Sequence, residues 1–318
     1  QSGAGLIIAE KTLTVNGNLE IDGNLSMNNA AGNLNVTGSV YWNSGSTAAF
    51  TAASAFRVYG NWNFNVGANA NLAAGTVLFM GNITRYIRSY SSNCSFFNLG
   101  CYKSDGASAH FSWVSTTALT INGYVYTHPG AILYDDSPFD IIVKGDVNSN
   151  GSFFCTDGKI VLDGSNQSLK MNVGDYFNNL TFSQSGLATV NNALTNIIDV
   201  NGSVVIESGT FNLQDRTMYV GGNWTNNAGL SAFNEGTSRV VFNSSGHNVI
   251  KTSETFNIIE ANMGAALRVD NAASNVICNQ YDWTTGGIDV IAGTFTALDL
   301  VDSGLFGTYW CNPGGALN

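Results

Sequence analysis

A short motif, apolar-x-Gly-x-apolar, recurs along this chain with its phase unbroken, and it limits the fold more than any other feature. In Leu13, Val15, Gly17, Leu19, Ile21, Gly23, Leu25 and Met27 every second residue is apolar or glycine. The same alternation runs through Val58, Gly60, Trp62, Phe64 and Val66, and through Val200, Gly202, Val204 and Ile206. A period of two puts these residues on one side of a strand. Asn16-Gly17 and Asn201-Gly202 are ordinary signals for a two-residue hairpin. A hairpin there would set Val15 opposite Asn18 and Val200 opposite Ser203, apolar against polar each time. The chain therefore runs through the glycine rather than reversing at it. The missing Cβ then serves a bend, a bulge or the close approach of a neighbouring segment. The predicted inward set includes Val15, Val58, Trp62, Val143, Val200, Val204, Val220 and Trp224.

The motif is periodic. The pairs Gly38 and Gly60, Gly123 and Gly145, and Gly202 and Gly222 are 20 to 22 residues apart. A longer period contains this one: Phe56-Arg-Val-Tyr-Gly-Asn-Trp62 aligns with Asp140-Ile-Ile-Val-Lys-Gly-Asp-Val147 and with Met218-Tyr-Val-Gly-Gly-Asn-Trp224. Further landmarks keep the same order, among them Phe96-Phe-Asn-Leu99, Phe177-Asn-Asn-Leu180 and Phe256-Asn-Ile-Ile259. The long repeat is about 80 residues, covering approximately 34–118, 119–197 and 198–274, with a partial copy over 275–318 and a strand-rich segment 1–33 before them. Coils of about 20 residues, roughly four to a long repeat, suit an all-β, parallel β-solenoid (β-helix-like) rather than a propeller. The chain is expected to be one continuous solenoid. Asn, Ser, Asp and Thr beside the glycines point outward, where amides can ladder between coils. The stretch from Tyr102 to Ser108 is polar and unpatterned and reads as a protruding loop.

Composition narrows the partners. Charged residues are only 11% and the net charge is −10, so the 12 Lys and Arg cannot neutralise a nucleic-acid backbone. An apolar share of 44% argues against disorder. No run of eighteen apolar residues is present, hence no membrane span is expected. Gln1 reads as a mature terminus after signal-peptide removal, which places the protein outside the cell. Ten Asn-x-Ser/Thr sites occur, including Asn24, Asn35, Asn82, Asn179, Asn223 and Asn243, as candidates for N-glycosylation.

Five cysteines contain no Cys-x-x-Cys pair, and no His stands at metal-ligand spacing. Cys94 and Cys101 are near enough in sequence to be disulfide candidates in an oxidising compartment. The odd count leaves a thiol over, with Cys278 and Cys311 as candidates for a free or intermolecular one, while a small buried hydrophobe is the other reading for Cys155 and Cys278. Chemistry for catalysis is thin. Asp135, Asp136 and Asp140 form the densest acidic stretch; an acid/base pair or Ca²⁺ site is one reading, a solvated turn the other. His110, His128 and His247 fall in different repeats, and no Gly-x-Ser-x-Gly elbow accompanies them. No cofactor and no enzymatic activity are expected. Trp62 and Trp224 share one repeat position, and core packing is the reading there; sugar stacking would need rings exposed in a row.

The chain-long pattern resembles the Gly/Asn-rich β-solenoid repeat proteins of prokaryotic cell surfaces, a group spanning adhesins, surface-layer components and sheaths. Within it the chain is similar to the tubular sheath proteins of filamentous methanogenic archaea. That resemblance implies a secreted protein with an architectural or adhesive task. The expected function is a building block of an extracellular polymer made of copies of itself, with glycans as a second class of partner. The alternatives are a carbohydrate-binding or carbohydrate-cleaving β-helix and a monomeric adhesin. Both ends favour assembly: Leu6-Ile-Ile-Ala9 is strand-like, Leu305-Phe306 and Tyr309-Trp310 are apolar, and neither end reads as a cap.

Overall fold

A computed structural model describes residues 5–51, 53–102, 108–112, 114–191, 197–302, 308–311 and 315–317. They form an all-β parallel β-solenoid of about 13 turns, with coils of about 22 residues. One short 3-10 turn, Leu230–Ala232, is the only helical element among the described residues. The chain divides into two compact units, Gln1–Ile160 and Val161–Asn318.

In the first unit each coil carries three strands, one per face. The first face stacks Gly5–Ile8, Asn24–Met27 and Thr47–Phe50, passes through bridges at Asn69 and Asn71, and continues in Ser95–Phe96, Leu119–Ile121 and Ile141–Val143. The second stacks Thr12–Val15, Asn33–Val36, Ala55–Val58, Thr76–Phe79, Asn98–Cys101, Val125–Thr127 and Val147–Ser149. The third runs from Leu19–Ile21 through Val40–Trp42, Trp62–Phe64, Thr84–Ser89, Ser108–Phe111 and Ile132–Asp135 to Ser152–Cys155. All of these pairings are parallel, so no hairpin forms at Asn16-Gly17. Coil length varies: Gly5 lies beside Asn24, 19 residues on, and Leu99 beside Val125, 26 on.

The second unit uses the same parallel pairing with longer strands. Ile197–Val200, Thr217–Val220 and Arg239–Phe242 stack in turn, as do Val204–Ile206 and Trp224–Asn226, and Asn201-Gly202 is again no hairpin. Glu254–Val269 and Asn275–Val290, each 16 residues, pass from one face to the next without a break. Their mutual register slips around Ala261 and Asn262, where an irregularity lets a paired strand turn a corner.

Inward residues make a dry core, as the period of two requires. Val58, Trp62, Val143, Val200, Val204, Val220 and Trp224 are fully buried. Val15 is only half-buried, against expectation. Its strand pairs with the following coil alone among the described residues, so one side of its side chain lacks cover.

The corner glycines act by close approach. The Gly38 N–H donates to the Gly17 carbonyl at 2.9 Å, Gly145 to Gly123 at 2.9 Å and Gly222 to Gly202 at 2.7 Å. A Cβ on Gly38 would stand 2.6 Å from the Gly17 carbonyl, inside any real contact distance, and Gly145 and Gly222 are as tight. Gly60, Gly123 and Gly202 are tighter still, against the Gly38–Ser39 backbone, the Asn98 side chain and the Asn178 carbonyl. The Asn and Ser that follow Gly17, Gly38, Gly60, Gly202 and Gly222 serve the same corners. Asn18 Oδ1 accepts the Ser39 N–H at 2.9 Å, Ser39 Oγ the Asn61 N–H at 3.0 Å, and Asn61 Oδ1 the Tyr86 N–H at 2.9 Å. Asn179, Ser203 and Asn223 repeat the series onto the N–H groups of Ser203, Asn223 and Val249 at 2.8, 3.0 and 2.9 Å. Backbone donors at a corner fall outside the strand ladders, and these side chains satisfy them.

The long repeat and the coil do not keep step. Val15, Val36 and Val58 end second-face strands, and their glycines lead into the third face; Ile121 and Val143 end first-face strands, and Gly123 and Gly145 lead into the second. From Trp62 to its counterpart Val147 the chain passes eleven strand positions, counting the bridged Asn69–Asn71 segment. With three strands per coil, eleven is one short of four coils, so the motif returns one corner back.

Candidate functional site

Little of the chemistry nominated from sequence converges. No group of three or more His, Cys, Asp or Glu that could hold a metal occurs among the described residues. No helix is long and apolar enough to cross a membrane among them either. His110 stacks on Tyr134 at 4.8 Å in an outward aromatic column, and burial lowers its pKa although Asp136 opposes this. His128 packs on Tyr102 at 4.5 Å, and His247 Nδ1 meets the Ala266 backbone. The three histidines stay apart.

The acidic stretch splits by strand alternation. Asp136 faces outward, and Asp140 pairs with Lys159 at 3.4 Å. Asp135 points into the core and is wholly buried, which corrects the reading of this stretch as a solvated turn. Its Oδ2 accepts the Cys155 thiol at 3.1 Å and its Oδ1 the Ser137 N–H at 3.0 Å. Burial pushes its pKa up to about 7 despite these bonds. Sequence patterning held the signal, since Asp135 is in phase with the inward Leu133. A second buried acid, Glu254, was not foreseen. Its Oε2 accepts the Trp224 indole N–H at 3.0 Å and the Asn226 amide at 2.9 Å, and burial pushes it too up to about 7.

The cysteines are core residues. Cys94, Cys101, Cys155 and Cys278 are buried, and the disulfide candidates Cys94 and Cys101 are both free. The chain turns a corner between them, from Ser95–Phe96 on the first face to Asn98–Cys101 on the second. Burial pushes Cys101 and Cys278 up to about 12, which removes thiolate character. Cys278 thus offers no surface for a cross-link. The Cys311 side chain, the loop residues 103–107, and residues 305–306 lie outside the described residues, as do the side chains of Tyr309 and Trp310. Among the sequons Asn24, Asn82 and Asn243 are exposed, Asn35 is half-buried, and Asn179 and Asn223 have their carbonyl oxygens committed to corner N–H groups.

Two features have the geometry of a site. One is the start of the first unit. Gly5–Ile8, Thr12–Val15 and Leu19–Ile21 each pair on one side only among the described residues. A hollow of about 410 Å³ opens there, lined by Leu6, Leu19, Ile21 and Leu25, with Glu20 and Asp22 beside them. Ile7 is 65% exposed. The other is a groove of about 560 Å³ on the second face, lined in part by Thr76, Leu78, Gly100, Tyr102, Tyr124 and Tyr126. Register builds it: Leu78, Gly100, Tyr126 and Asn148 are lateral neighbours in four successive coils, and Gly100 leaves a gap in that outward column. Tyr102 and Tyr124 are both 42% exposed beside the gap. The Trp62 and Trp224 rings, by contrast, are core.

Comparison with known protein families, with curated proteins and with solved structures finds no match for the chain.

Proposed function

We propose that this protein is an extracellular structural subunit whose copies join coil to coil into a larger assembly. The observation that carries the reading is the apolar hollow of about 410 Å³ lined by Leu6, Leu19, Ile21 and Leu25, beside which Ile7 is 65% exposed. Exposed apolar side chains grouped in this way favour contact with another protein surface. The occupant is an apolar strand of a second copy: Leu298 and Leu300 of Gly293–Asp302 are 71% and 57% exposed. A contact between two different surfaces is heterologous, so it closes a ring or extends a filament. With charged residues at 11%, little repulsion opposes it.

Sedimentation velocity over a concentration series tests the reading. The wild-type chain is expected to associate progressively. Leu6→Asp, which places a carboxylate beside Glu20 and Asp22 in the hollow, is expected to weaken association at least tenfold with the fold intact by circular dichroism. A wild-type chain that stays monomeric at the highest concentration reached overturns the proposal.

A further inference from the structure

We infer that the second-face groove of the first unit binds a neutral oligosaccharide laid along the stack of coils. Its length is the first argument. The lining comes from five successive coils: Ala55, then Thr76 and Leu78, then Gly100 and Tyr102, then Tyr124 and Tyr126, then Asp146 and Asn148. Four steps at the inter-strand spacing give a trough about 19 Å long. A linear chain of several sugar rings matches that length; a compact cation held in an aromatic cage would use only one end.

The lining is the second argument. Pyranose rings offer an apolar C–H face and a rim of hydroxyls, and are held by aromatic faces beside hydrogen-bonding side chains. Tyr102 and Tyr124 are both exposed beside the Gly100 gap, and Tyr126 follows two residues after Tyr124 in the strand Val125–Thr127. Thr76 Oγ1 and the Tyr124 hydroxyl lie 3.2 Å apart at the surface, an exposed pair that sugar hydroxyls can join. His128 packs on Tyr102 at 4.5 Å and lies edge-on to Tyr126 at 6.4 Å, which buttresses the Tyr102 ring. Positioned rings lose little freedom on binding, so contact is not offset by ordering.

Charge is the third argument. The described lining holds one carboxylate, Asp146, and no Lys or Arg. A uronate or sulfated chain would meet like charge at Asp146, whereas neutral sugars meet acceptors for their hydroxyl protons. The gap itself is specific to Gly100. A Cβ there would come within 2.6 Å of Leu78 Cδ2, the movable end of a flexible side chain, so the fold tolerates filling the position while the groove does not.

Isothermal titration calorimetry of the whole chain with cellohexaose, chitohexaose, maltohexaose and laminarihexaose, and with hexagalacturonate as the anionic control, tests this. At least one neutral hexasaccharide is expected to bind, and hexagalacturonate is not. Tyr124→Ala and Tyr126→Ala are each expected to weaken binding at least tenfold, and Gly100→Leu to abolish it, with unchanged thermal unfolding for Tyr124→Ala as the control on folding. Absence of binding by all four neutral probes overturns the inference. So does binding that survives both tyrosine substitutions, or equal binding of hexagalacturonate.

Discussion

Trp62 in the first unit and Trp224 in the second stand at the same position of the long repeat, each fully buried at the start of a three-residue strand. Trp62 packs on four rings, Phe56 at 5.0 Å, Phe96 at 5.2 Å, Phe64 at 5.6 Å and Trp42 at 5.9 Å. Its indole N–H has no hydrogen-bond partner, and neither has that of Trp42. Trp224 also packs on phenylalanines, Phe233 at 4.9 Å and Phe256 at 5.2 Å, but its N–H donates to Glu254. The repeat therefore copies inward phase, and leaves polar contacts to be solved locally. In the second unit the solution is a buried acid, which holds Asn226 as well and ties Trp224 to a residue 30 positions along the chain.

The sharpest way to break this comparison is to remove the acid. Glu254→Leu leaves the Trp224 indole N–H, the Asn226 amide and the Thr255 N–H without their acceptor inside the core. Unsatisfied buried donors cost about 1–3 kcal/mol each after relaxation, so a total loss of about 3 kcal/mol is expected. Urea unfolding followed by tryptophan fluorescence reads it. A loss under about 1 kcal/mol would mean that the acid is incidental and that the two tryptophan sites are equivalent in energy.

Much of this architecture is legible in the residues, and the illegible part has a definite cause. Period-two alternation through Gly60 and Gly202 excludes hairpins and places Val58, Trp62, Val200 and Val204 inside, because inward phase is a local property. Val15 breaks the pattern because burial also needs a neighbour on each side of the strand. Asp135 keeps inward phase with Leu133, but Asp136, Asp140 and Pro138 around it imitate a solvated turn. The tyrosine groove is hidden for another reason. Thr76, Gly100 and Tyr126 become neighbours only through register, and coil lengths running from 19 to 26 residues spoil any fixed spacing. The eleven-strand long repeat adds to this, since it moves equivalent motifs to a new corner and leaves surface features such as the groove without copies.

The two buried acids sharpen the comparison through pH. Folding raises the pKa of Glu254 and of Asp135 to about 7 in each case, above their unfolded values near 4. Between about pH 4 and pH 7 the folded chain therefore binds protons that the unfolded chain has released, and stability falls as pH rises through that window. The other Asp and Glu residues among the chain's 22 give a shared background that has to be subtracted. The test is thus a difference between variants. Glu254→Gln and Asp135→Asn should each remove on the order of 2 kcal/mol from the loss seen between pH 4.5 and 7.5. Urea midpoints at the two pH values decide it, and an unchanged slope in both variants would show that neither acid titrates in this range.

The smallest expected effect compares the indoles directly. Trp62→Phe and Trp224→Phe remove similar volume from similarly packed sites, so their cavity terms nearly cancel in the difference. What remains is the N–H. Trp62→Phe deletes a donor that is buried without a partner, and this relief offsets part of the lost packing. Trp224→Phe deletes a donor that Glu254 uses, leaving the acid with fewer bonds in a site that already disfavours its charge. Trp62→Phe should therefore cost about 1 kcal/mol less than Trp224→Phe. A cycle joining Trp224→Phe with Glu254→Gln isolates the bond, since contacts shared by the pair drop out of the coupling term. A coupling near zero, together with equal costs for the two tryptophan variants, would show that the indole N–H groups carry no energetic distinction. The difference between the units would then reduce to packing.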